Sequence, residues 1–91
     1  MIIFIKMFYV YILFSEKLKR YYVGYSQNPQ HRLDTRHNQQ KVNATKNGIP
    51  YRLAAMKSFN TEIEAIREEK RIKKMKSRVY TEKLIEEWKS K

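Results

Sequence analysis

Tyr9-Val10-Tyr11-Ile12-Leu13-Phe14-Ser15-Glu16-Lys17-Leu18-Lys19-Arg20-Tyr21-Tyr22-Val23-Gly24 is the stretch whose reading decides the fold. Its two ends, Tyr9 to Tyr11 and Tyr22 to Gly24, are β-branched and aromatic, as strands are. The polar, charged run from Ser15 to Arg20 suits a turn between them. The spacing therefore predicts a hairpin that sets the phenol hydroxyls of Tyr11 and Tyr22 on neighbouring strands, close enough to serve one site. A tyrosine in a strand is most often packing. The paired placement is what makes these two candidates for chemistry.

Upstream, residues 1 to 14 are apolar enough to suggest a signal sequence, but Lys6 interrupts them and no small-residue cleavage site follows. The run is also too short to span a bilayer. Residues 8 to 14 read as a buried strand and residues 1 to 6 as an N-terminal extension. Downstream, Asn28 suits a helix cap and Pro29 the first helical position, predicting a helix to about His37. On such a helix Arg32 and Arg36 share one face, and Leu33 and His37 the adjoining one. Residues 38 to 50 are polar and punctuated by Asn47-Gly48, which predicts a loop of the length often used for binding. Tyr51 to Phe59 reads as a third strand, with Tyr51, Leu53, Ala55 and Phe59 on one side and Arg52, Met56 and Ser58 on the other. Lys57 breaks that alternation, as at a sheet edge.

Thr61 and Glu64 form a capping box, so a second helix should start there and run to about Lys76. Seven of the twelve residues from Arg67 to Arg78 are basic. Arg67, Lys70, Arg71, Lys73, Lys74 and Lys76 are thus either a solvated face or a phosphate-tracking ridge, and the net charge of the chain favours the nucleic-acid-binding ridge. Glu69 lies four residues after Ala65 and three before Ile72, so its carboxylate projects near the apolar flank of this helix. A carboxylate there needs a cation, either a basic side chain or a metal. Glu68, one step round, should face water. Ser77 to Trp88 is predicted as a third helix, with Tyr80, Leu84, Ile85 and Trp88 closing the core.

Composition narrows the partner. Lys and Arg number 20 against 9 acids, a formal charge of +11, and such an excess is the footprint of a polyanion binder. Nucleic acid is the expected partner; a membrane surface is not, because the basic helices lack a long apolar face. The absence of cysteine excludes disulfides and thiolate metal sites and suits an intracellular, cytoplasmic protein. Ninety-one residues make one domain, with a core over about residues 8 to 86.

The two triplets with their ten-residue spacer, followed by Arg32 and Glu69, resemble the GIY-YIG endonuclease family, particularly its small stand-alone bacterial members. Tyr21 to Ser26, Arg32-Leu33, His37-Asn38, Thr45 with Pro50, Glu64 to Lys74 and Leu84-Ile85 support the match. Tyr9 stands where the family has Gly, and Val10 and Val23 where it has Ile. The resemblance implies an α+β fold, a three-stranded antiparallel sheet flanked by helices. It also implies cleavage of DNA phosphodiesters with one divalent ion, Mg2+ or Mn2+, held by Glu69. Arg32 would contact the scissile phosphate. One tyrosine, its pKa lowered by these cations, would act as general base, with Tyr22 preferred and Tyr11 orienting it. In relatives a histidine follows the arginine by four residues. Here Arg36 holds that position and His37 comes one later, as though a residue were inserted, so both are auxiliary candidates. The alternative is a basic nucleic-acid-binding module of the same fold without turnover.

Overall fold

Strand β1 (Phe8–Ser15) occupies the centre of a three-stranded antiparallel sheet, with β2 (Arg20–Ser26) on one side and β3 (Tyr51–Phe59) on the other. The structure, a computed structural model, describes residues 7–39 and 46–89, apart from the side chain of Arg36. The expected N-terminal extension, residues 1 to 6, lies outside the described residues, as do residues 40–45 of the loop. The helices are α1 (Pro29–Arg32), α2 (Glu62–Met75) and α3 (Arg78–Lys89).

A central strand flanked on both faces must be apolar on both, and β1 is: Val10 to Leu13 are each at most 1% exposed. Val10, Ile12 and Phe14 point into the main core with Val23 and Ala55, where α2 contributes Ala65 and Ile72 and α3 contributes Leu84, Ile85 and Trp88. Burying each of the larger of these side chains is worth roughly 1.5–3 kcal/mol. Tyr11 and Leu13 point the other way and meet Leu33 and Tyr51 in a second, smaller cluster. The tyrosine hairpin is thus formed as expected, with Tyr11 opposite Gly24 and Leu13 opposite Tyr22.

The caps behave as their sequences predict. Asn28 Oδ1 accepts the backbone N–H of His31, Thr61 Oγ accepts that of Glu64, and Ser77 Oγ accepts that of Tyr80. The return half of the capping box differs: the Glu64 carboxylate accepts from the Thr61 hydroxyl.

Three expectations need correction. The first helix does not continue as α-helix to His37; after Arg32 it widens into a π turn over Leu33–His37. The segment 38 to 50 holds a short 3-10 turn at Lys46–Gly48. In β3 the register slips between Ile12 and Leu13, which pair with Ala55 and Leu53 and leave Ala54 as the extra residue. Such a bulge reverses the alternation. Tyr51 and Leu53 therefore belong to the smaller cluster, whereas Phe59 packs with Ala55 against the main core. β3 is an edge strand, as the break at Lys57 suggested.

Candidate active site

The smaller cluster leads directly to the site. Tyr11, on the buried central strand, is 1% exposed, and its ring fills the space that a side chain at Gly24 would need. A Cβ on Gly24 would lie 2.5 Å from the Tyr11 oxygen. The glycine of the second triplet is therefore required by the tyrosine of the first. The register that sets Gly24 opposite Tyr11 is what gives it this role.

His37 is the residue whose importance the sequence understated. It is fully buried, and its Nε2 lies 2.9 Å from the Tyr11 hydroxyl. Its ring meets Tyr11 edge-on at 5.8 Å and Tyr22 at 5.1 Å, so it bridges the two phenols. The π turn explains how. Asn38 N–H bonds to Leu33 O at 3.0 Å, an i to i+5 closure that takes up one more residue per turn than an α-helix. The apparent insertion after Arg32 is absorbed there, and His37 returns to the inward face. Asn38 then locks the turn to the start of β3: its side chain accepts from Tyr51 N–H at 2.7 Å and donates to Tyr51 O at 3.1 Å. The Arg36 side chain lies outside the described residues, and so does its candidate auxiliary role.

Burial pushes the Tyr11 hydroxyl up to about 12, the Arg32 cation pulling the other way. This corrects the expectation of a lowered tyrosine pKa as far as Tyr11 is concerned. Burial, assisted by the same cation, pushes His37 down to about 4. Both groups are neutral at neutral pH, and which one donates depends on the imidazole tautomer.

Arg32 is half-buried beside this pair, and its Nε is buried with no hydrogen-bond partner among the described residues. A cavity of about 800 Å³ opens onto Arg32, lined also by Phe8, Tyr25, Asn28, His31, Thr35 and Glu62.

Glu69 completes the set from α2. Its side chain is 15% exposed, and its carboxylate lies 3.3 Å from Lys73 Nζ, which in turn sits over the Tyr22 ring at 5.4 Å. Glu69 is near enough for its charge to act on Tyr11. Glu68 does not face water as expected. Its side chain is 16% exposed, as little as that of Glu69, because Arg71 holds both carboxylate oxygens, at 2.6 and 2.8 Å. Arg71 also reaches the Tyr80 hydroxyl. Of the expected ridge, Arg71 is thus engaged on its own helix, Lys73 turns toward the site, and Arg67, Lys70, Lys74 and Lys76 are exposed. Among the described residues no three His, Cys, Asp or Glu side chains gather as a metal cage. No helix among the described residues is long and apolar enough to cross a membrane.

No curated protein matches this chain, and no solved structure does. The model of the GIY-YIG catalytic domain matches residues 7–83, the span that carries Tyr11, Tyr22, Arg32, His37 and Glu69. Fold, signature tyrosines and family model agree, and the chain belongs to the GIY-YIG nuclease family.

Proposed function

We propose that this chain is a DNA endonuclease that hydrolyses phosphodiester bonds with one divalent ion, Mg2+ or Mn2+, in an intracellular, cytoplasmic setting. The observation that carries the reading is the Arg32 Nε, unpaired among the described residues, beside the Tyr11–His37 pair. An unsatisfied buried donor costs roughly 1–3 kcal/mol, more on a charged group, and a phosphate oxygen would relieve it. Guanidinium offers that oxygen a fixed, permanently charged fork.

A lone half-buried carboxylate suits Mg2+, which keeps several waters and takes one or two carboxylates together with substrate phosphate oxygens. When bound, the ion would neutralise charge gathering on the phosphate and acidify a water. Glu69 would hold it, and Lys73 balances Glu69 in the free protein. Arg32 would orient the scissile phosphate. Tyr22, which is half-buried, would accept the water's proton, since Tyr11 is held neutral by burial. Tyr11 and His37 would fix the position of Tyr22 through the imidazole packed at a tilt against its ring.

One observation favours a second reading, a basic binding module without turnover: Glu69 already has Lys73 as its cation. The discriminating experiment incubates labelled duplex, single-stranded and branched DNA with the protein, with and without Mg2+ or Mn2+. On the endonuclease reading, chelation stops cleavage and Glu69→Gln lowers it by about 100-fold or more while DNA binding is kept. A wild-type protein that cleaves none of these substrates selects the binding module. So does a Glu69→Gln protein that melts early but has no cleavage to lose.

A further inference from the structure

We propose that the cleft between the edge of β2 and the α2–α3 junction is a second backbone site, which holds phosphates flanking the scissile one on the same DNA strand. The proposal rests on the endonuclease reading above for its substrate. The cleft, about 380 Å³, carries five cations, Lys19, Arg20, Lys73, Lys76 and Arg78, and no carboxylate on its walls. Its floor includes the buried Val23 and Ile72. Cations on a low-dielectric floor act on a phosphate more strongly than the same charges spread over an open helix face.

The cleft begins where the candidate active site ends. Tyr22 and Lys73 line it, and Lys73 is also the residue that pairs with Glu69 over the Tyr22 ring. A strand positioned at Arg32 and Tyr22 therefore continues past Lys73 into this basic groove. Its walls are fastened together: Arg78 donates to Lys19 O at 2.5 Å and lies over the Tyr21 ring at 5.4 Å.

The cations are not equally available. Lys19 pairs with Glu16, Lys73 with Glu69 and Arg78 with Glu82, whereas Arg20 and Lys76 form no ion pair among the described residues. Lys76 is also out of place for stability. It ends α2 in the left-handed region, at φ 49°, the position where glycine is usual. A lysine there accepts backbone strain and puts an ammonium group on the cleft wall.

That strain gives the test two independent readouts. Arg20→Gln/Lys76→Gly is compared with Lys83→Gln/Lys89→Gln, which removes the same charge from α3 outside the cleft. Affinity for a labelled duplex and a labelled single strand is measured by anisotropy across a salt series, beside the melting temperature. The cleft variant should lower the magnitude of the salt slope by about two, against little change in the charge-matched control. Its melting temperature should be equal or higher, because glycine relieves the left-handed residue. Equal slopes in both variants would assign binding to diffuse charge and overturn the cleft, as would a wild-type protein that binds no DNA. Should the double variant fold poorly, Lys76→Gly alone should shift the slope by about one. Cleavage by wild-type protein with an unmoved slope removes the cleft and leaves the endonuclease. A moved slope without cleavage on any substrate does the reverse.

Discussion

Gly24 and Tyr11 face each other across β1 and β2, and the missing Cβ is what lets the phenol reach His37. Gly24→Ala should therefore move Tyr11 rather than merely stiffen a strand, costing about 1–3 kcal/mol by overpacking and lowering activity beyond the loss of folded protein. Thermal melting beside cleavage at low temperature checks it; unchanged activity would mean that Tyr11 need not sit where it does. His37 gives a pH prediction. Its folded pKa, about 4, lies below the ordinary 6.5, so protons bind the unfolded chain preferentially. Its contribution is complete above about pH 6.5 and is lost as pH falls toward 4, by roughly 3 kcal/mol at most. Tyr11, Tyr22 and Arg32 are among the groups around it, and of these Arg32 keeps its charge throughout. Denaturant unfolding of wild type and His37→Gln between pH 7 and 4 should show a steeper fall for wild type. Glu68→Gln should cost about 1 kcal/mol through its lost Arg71 pair while leaving the cleavage rate of folded protein intact, in contrast to Glu69→Gln.

At the scale of elements, the π turn is the feature on which the site depends. If its extra residue only compensates for the longer spacing between Arg32 and His37, removing one exposed residue should restore an ordinary helical turn. Deletion of Asp34 brings the histidine to four residues after Arg32. It should leave cleavage within a few-fold of wild type and the melting temperature within a few degrees, since no core side chain is lost. Abolished cleavage in a protein that still folds would show that the π geometry itself matters. The same element marks where sequence reading stops. Hairpin, caps, helix order and the inward placement of Glu69 were legible because each follows from local periodicity or a short-range cap. The face that His37 shares with Leu33 followed from helical spacing, but its contact with Tyr11 did not, because the π turn that sets it leaves no compositional trace. The slip at Ala54 misled the reading of β3 in the same way: an extra residue reverses a period of two. The orientation of Glu68 was missed because its exposure is decided by a bidentate Arg71, a contact that periodicity does not encode.

Across the whole molecule, the charge of +11 is unevenly used. Glu16, Glu68, Glu69 and Glu82 are all paired with cations, so the acids neutralise chosen positions and leave the rest of the basic surface to solvent. A field of this kind attracts a polyanion whatever its sequence, and the site offers groups for phosphate rather than an element shaped to a groove. Binding should therefore be strongly salt-dependent and weakly selective. If Arg32, Arg20, Lys73 and Lys76 each neutralise one phosphate, log affinity for duplex DNA should fall with log salt at a slope of about −3.6, or roughly 150-fold between about 50 and 200 mM. Single-stranded DNA, with its lower charge density, should give a shallower slope, about −2.8 for the same contacts. Duplexes of unrelated sequence should bind within a few-fold of one another. An affinity flat across this range would detach the net charge from nucleic-acid binding. A slope much steeper than −3.6 would mean that the outward cations Arg67, Lys70 and Lys74 also touch phosphate, extending the footprint from the cleft over the outer face of α2.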